Sequence, residues 1–489
     1  MHSCLQPQSR LYSPTRLLSV GTEGDSAITL VATKSPDDEP YATLSYCWGS
    51  GNPIKLLGCL VTEFQRGIQI DSLPCTLQEA VYVSRGLGLK YVWIDALCII
   101  QDSPEDWNHE SAQMADIYSN SYCNLAATST DDCQGGLIRT RNPDILRTTV
   151  INTNWKGACN GPIGLTDRYL FTRNVDEAPL NGRGWVVQER LLSPRTLHFG
   201  KDQLFWECYK TNACESYPHG VMPGCEAPLS KHDLTIPHSP GDLYEYWGRV
   251  VRSFTLSRLT KEKDKLPAIS GLARRLAPVL SDDYVAGLWR NRLSHELLWF
   301  PTRAEEKLRA YRGPSWSWVS IEGEILTGPS PNTLDSEAIV IQDVHSTDID
   351  FLSGDRFGQV CSAVLRLSGK LYPAVVATSP DGHADLIFDD DGLNAAARLD
   401  PGLGMLDVIT ETGESLGYCM PILVYGNKGG WGRVQGLILE ATGKTSGEYK
   451  RIGSFFTEQD ELVSIMGHGG KPYIADVNLY DEYGYFSIV

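Results

Sequence analysis

The sequence predicts an α/β fold: a parallel sheet with flanking helices, then helical insertions and a β-rich C-terminal region. Three observations carry this. Residues 91–102, Tyr-Val-Trp-Ile-Asp-Ala-Leu-Cys-Ile-Ile-Gln-Asp, begin as an apolar, β-favouring run that delivers a carboxylate, Asp95, where a buried strand should end. Strand-like and helix-like segments alternate β-α-β-α-β through the first 130 residues, the order of a parallel sheet with right-handed crossovers. Beyond Ile339, short alternating strands rich in turn residues replace the helices. A chain of 489 residues exceeds one ordinary core, and its pattern divides into residues 1–210, 211–335 and 336–489.

Each element follows from its residues. Residues 27–31, Ala-Ile-Thr-Leu-Val, read as an early strand, and 41–46 as a second, ending in Cys47-Trp48-Gly49. Pro74 opens a helical apolar stripe through Leu77, Ala80, Val81 and Ser84 that stops at Gly86 and Gly88. Strand 91–95, helix 106–118 and strand 122–127 follow, the helix beginning after Ser103-Pro104-Glu105-Asp106. Residues 128–182, rich in Asp, Asn, Gly and Arg, predict loops and small strands. Order returns with a helix over 183–192 and strands over 195–199 and 203–206. Helices dominate from Asp242 to about Leu280, Pro267 starting the second. Residues 313–320, Gly-Pro-Ser-Trp-Ser-Trp-Val-Ser, predict a turn and then a strand, and 364–369 is representative of the later strands.

Composition bounds the function. A net charge of −17 opposes non-specific nucleic-acid binding and gives no support for docking on an anionic membrane. No apolar run reaches bilayer-spanning length, and the first ten residues lack the apolar core of a signal peptide, so a cytoplasmic location is expected. The 13 cysteines are odd in number and irregularly spaced, with no CxxC, which fits reduced thiols. No metal-ligand spacing appears among the ten histidines, so no metal is expected. The absence of GxGxxG after a strand and of GxxxxGK[ST] disfavours a Rossmann dehydrogenase and a P-loop NTPase.

Several side chains are candidates for chemistry. Asp95 at a strand end is either a catalytic or ligand-holding acid or a cap for the next helix. Glu110 shares a helical face with Trp107, Met114, Ile117 and Tyr118, so its pKa should rise; it is either functional or paired to an arginine such as Arg183. Ser45, Cys47 and Trp48 end a neighbouring strand. Trp48 suits the flat wall of a site or core packing, and Cys47 lacks a histidine in its motif to activate it. Arg183 at a helix start, with Trp185 and Glu189 within that helix, suits an anion such as phosphate or a structural Arg–Glu network. Asp95 and Glu110 are the catalytic candidates; Ser45, Cys47, Trp48, Arg183, Trp185 and Glu189 are the substrate-binding ones.

Three blocks together resemble the fungal heterokaryon-incompatibility (HET) domain: residues 41–49; residues 91–102 with Trp107, Glu110, Met114, Ile117 and Tyr118; and residues 183–192. The likeness spans roughly 40–200 and continues weakly through Trp206-Glu-Cys208, residues 264–271, 286–289 and 314–318. Ile100 departs from the Asp often found there. The resemblance implies a fungal origin and a role in non-self recognition ending in growth arrest or cell death. HET domains are similar to TIR domains, some of which cleave the nicotinamide–ribose bond of NAD with a glutamate. That analogy implies a TIR-like sheet, with NAD as a substrate and no bound cofactor. Glu110 would stabilise the ribosyl transition state, Trp48 would flank a ring and Arg183 would hold phosphates. Two alternatives stand beside it: a HET-fold enzyme of secondary metabolism catalysing a cofactor-free cyclisation, dehydration or condensation, and a non-enzymatic module binding a partner protein. The expected partner is thus a small-molecule substrate or a protein, and self-association as a homo-oligomer is open.

Overall fold

The computed structural model describes residues 12–33, 39–51, 53–147, 149–153, 161–222, 224–225, 229–234, 239–302, 311–329, 339–340, 343–378, 384–388, 394–400, 414–426, 432–467 and 484–489. The chain forms two compact units, Met1–Pro237 and His238–Val489. Among the described residues, no helix is long and apolar enough to cross a membrane.

The first unit is built on β1 (Arg16–Ser19), β2 (Ala27–Ala32), β3 (Tyr41–Ser45), β4 (Ile68–Gln69), β5 (Tyr91–Trp93) and β6 (Cys123–Ala126). β7 (Thr149–Thr153) and β8 (Gly161–Leu165) make a separate hairpin, and β9 (Arg195–Phe199), β10 (Leu204–Cys208) and β11 (Asn212–Cys214) complete the main sheet. The sheet has nine strands in the order β11-β10-β9-β6-β3-β5-β1-β2-β4. Only β9, β6, β3 and β5 are parallel. The expected parallel sheet is therefore its centre, flanked by antiparallel strands on both sides. The flanks arise from the short β1–β2, β9–β10 and β10–β11 connections, which are too short for a parallel crossover. β3 is buried at every position, as the middle of a parallel sheet should be.

Helices α1 (Val61–Arg66), α2 (Cys75–Gly86), α3 (Asp95–Cys98), α4 (Pro104–Ser119) and α5 (Gly184–Leu192) belong to this unit. α2 connects β3 to β5 on one side of β3, and α4 carries the chain back across β3 to β6. With right-handed crossovers, those opposite directions put α2 on one face of the sheet and α4 and α5 on the other. α4 starts as its sequence predicts: the Ser103 side chain accepts from the Asp106 N–H at 3.2 Å, with Pro104 in the first turn. Strand β5 stops at Trp93, two residues short of the expectation. Asp95 instead opens α3, and its Oδ1 accepts from the Ala96 N–H at 2.7 Å.

The second unit begins with α6 (Pro240–Leu256), closed at its start by a Ser239/Asp242 capping box, and continues with α7 (Ser270–Leu280) and α8 (Leu293–Glu296). Pro267 starts a 3-10 turn that leads into α7. Residues 313–320 do not form the expected strand; Trp318–Ser320 is a 3-10 helix. The Nε1 groups of Trp247 and Trp318 both donate to the Gly287 carbonyl, at 3.3 and 3.0 Å, which fixes these indoles inside the core. Further on, strands Tyr372–Thr378, Ala384–Ile387, Asn394–Leu399, Glu448–Thr457, Gly432–Ala441 and Glu414–Gly426 pair in that order, and the last returns to the first. They close an antiparallel barrel filled by Val376, Leu386, Ile438 and Phe455, against which α9 (Asp460–Gly467) sets Leu462 and Met466. These strands are longer than the alternating pattern suggested, one reaching 13 residues.

Candidate functional site

The carboxyl ends of β3 and β6 are where connections leave in opposite directions, towards β5 from one and β9 from the other. Such a switch point is the usual ligand crevice of an open α/β sheet. Ser45 ends β3 there, and its hydroxyl donates to Glu189 Oε2 from α5 at 2.5 Å. Asn124 on β6 donates through Nδ2 to Ser45 Oγ at 3.0 Å, and Thr43 Oγ1 donates to Asn124 Oδ1 at 3.1 Å. Glu189 is buried, and burial pushes its pKa up against the pull of Arg183, Ser45 and Tyr118.

One strand over, Trp48 Nε1 donates to Asp95 Oδ2 at 3.0 Å. Burial also raises the Asp95 pKa, opposed by Arg183, the Ala96 N–H and Trp48. Arg183 stands at the N-cap of α5 and donates through Nη1 to the Tyr46 carbonyl. Burial opposes its charge, yet Glu189 and Asp95 outweigh this and hold the guanidinium firmly protonated. One cation therefore serves two carboxylates at the switch point. Cys47 packs with Ala126, Leu180 and Val186, and burial pushes its thiol up, leaving it a hydrophobe rather than a thiolate. Trp185 packs edge-on against Trp107, ring centroids 6.5 Å apart, and so ties α5 to α4.

Glu110 lies elsewhere. It is fully buried, and its ionic partner is Arg16 of β1 at 3.2 Å rather than Arg183. The same guanidinium reaches Asp106 at 2.6 Å and, through Nε, the Cys98 carbonyl at 2.7 Å. Burial raises the Glu110 pKa, while Thr15 and Arg16 pull it down. The structure thus brings Ser45, Trp48, Asp95, Arg183 and Glu189 together and sets Glu110 in a structural ion pair with β1. Thr43 and Asn124 were not legible as members: polar residues inside apolar strands, they become visible only when β3 and β6 are known to be neighbours.

A buried acid, a hydroxyl that donates to it and a cation thus meet at the switch point of an α/β domain. The family model described as Heterokaryon incompatibility protein (HET) matches residues 41–189, the stretch that contains every one of these side chains, and that stretch is a HET domain. No curated protein and no solved structure matches the chain.

Proposed function

We propose that this HET domain acts in fungal non-self recognition as a TIR-like effector that hydrolyses the nicotinamide–ribose bond of NAD, with Glu189 as the catalytic carboxylate. The observation that supports the reading is the Glu189 carboxylate, hydrogen-bonded to Ser45 at the sheet's switch point with Arg183 acting on it. In the reaction, the C1′–nitrogen bond breaks and its electron pair moves onto the pyridinium nitrogen, releasing neutral nicotinamide. The ribosyl centre becomes an oxocarbenium ion, which an adjacent carboxylate stabilises. Water then adds to C1′ and loses a proton, giving ADP-ribose. Arg183 supplies positive charge for the diphosphate, and Trp48 a flat face for a ring. Glu189 must be ionised to act, so turnover should rise with pH as its elevated pKa is passed.

Incubating the full chain with NAD and following nicotinamide release tests this. Glu189→Gln should lower kcat by about 10²–10³-fold. Glu110→Gln should keep most of the activity of whatever fraction folds, because Glu110 serves Arg16 instead. Absence of nicotinamide release, or equal loss in both variants, would remove the hydrolase reading.

A further inference from the structure

The unit His238–Val489 contains a cavity of about 290 Å³ whose walls include Tyr244 and Arg249 of α6, Arg292, and His295 and Glu296 of α8. Two glycines shape it. A Cβ on Gly248 would lie 2.5 Å from Thr327 Oγ1, and one on Gly328 would collide with the His295 carbonyl. Both glycines therefore let backbone pack directly against Thr327 and the His295 carbonyl at the cavity wall.

Two wall groups are incompletely satisfied. Glu296 is 7% exposed, and its Oε2 has no hydrogen-bond partner among the described residues. Arg292 lies over the Tyr244 ring at 5.1 Å and makes no ion pair among the described residues. Glu296, the acid whose charge acts on Arg292, makes no ion pair with it, and Asp282 is occupied by the Tyr244 hydroxyl at 2.8 Å and by the N–H groups of Asp283 and Asn291. An unpaired buried oxygen is unfavourable, and so is a half-buried cation that makes no direct ion pair. Arg292 and Glu296 both line this one cavity, so a single ligand in it can meet both side chains.

We propose that this cavity binds a small organic carboxylate carrying a hydroxyl or amine, its carboxylate on Arg292 and its donor group on Glu296. The size agrees: about 290 Å³ is near the floor for ligand pockets and fits a molecule of about ten heavy atoms. The charge balance agrees too. Burial pushes Glu296 up to about 8, so at neutral pH it does not repel an anion. Burial, with Arg292, lowers His295 to about 4, leaving it a neutral polar wall. Arg252 is already engaged by Glu324 at 2.7 Å.

Calorimetric titration of the full chain with L-malate and L-serine, with succinate as the analogue lacking the donor, tests this. The expected result is saturable binding of L-malate or L-serine with Kd below about 1 mM, at least about tenfold tighter than succinate. Arg292→Gln should weaken it at least about tenfold, Arg292→Lys less, and Glu296→Gln should bring the donor-bearing ligand within about threefold of succinate. Circular dichroism separates lost binding from lost folding, and the Lys variant keeps the charge if the Gln variant does not fold. No saturable binding of either ligand up to about 10 mM, or unchanged affinity in folded Arg292→Gln, would overturn the proposal.

Discussion

Glu189 and Arg190 are neighbours on α5, yet their side chains enter two separate buried clusters. Glu189 meets Ser45, whereas Arg190 donates to Glu207 of β10 at 2.8 Å and to Asp176 at 2.7 Å. Around Glu207 lie His198 at 3.2 Å and Lys231 at 3.9 Å, and Lys231 also donates to the Ser193 carbonyl and Thr196. Burial opposes the charge of Glu207, but Arg190 and Lys231 outweigh it and hold the carboxyl far below its ordinary range. Burial lowers His198 to about 4 and Lys231 to about 8. This cluster fixes the rotation of α5 and hence where Glu189 points. Arg190→Met should cost about 3–5 kcal/mol, because it leaves buried carboxylates without their strongest partner. Urea denaturation would measure it, and a loss under about 0.5 kcal/mol would mean that Lys231 and His198 suffice. In the sequence Glu189 was visible only as a companion of Arg183 within one helix. Glu207 was not visible, because the predicted strand ended at Trp206 and its partners are distant in the chain. Arg16, likewise, is separated from Glu110 by 94 positions, beyond any periodic signal.

The elements most legible in the sequence were those whose apolar period matched their burial. α2, α4, α5 and the parallel strands β3 and β6 appear where the residues placed them, and β5 does so but ends two residues early. The short β1 was missed because its four residues become a strand only by pairing with β2 and β5. Barrel closure was also invisible, since alternation marks strands but not which pair with which. Gly436 shows what closure demands. It sits mid-strand opposite Pro421 on one side and Phe455 on the other. A Cβ there would collide with the Met420 carbonyl and lie 2.5 Å from the Phe455 ring. Gly436→Ala should therefore destabilise the barrel by about 1–3 kcal/mol through overpacking, despite the better intrinsic strand fit of alanine. Thermal unfolding followed by aromatic circular dichroism would show it; an unchanged midpoint would mean that the Phe455 ring yields freely.

Across the whole chain, buried ionisable groups respond to pH in opposite senses. Glu207, depressed, contributes stability that is present above its ordinary pKa and is lost as acid protonates it. Glu296, raised to about 8 by burial against the pull of Arg292, has the reverse sign. Below its ordinary value of 4.5 it is neutral whether the chain is folded or not, and stability is undiminished. As pH rises towards 8 the unfolded chain ionises first, so the folded state loses at most about 1.4 kcal/mol per pH unit. Other groups titrate in the same window, Asp400 among them at about 6, so the absolute profile mixes several signs. The difference between the wild-type chain and Glu296→Gln isolates one. That variant should gain on the wild-type chain steadily from about pH 5 to about pH 8 and level off beyond. Paired denaturant titrations across that range would read the gap; a gap independent of pH would show that Glu296 ionises normally in the folded chain and that its burial carries no such penalty.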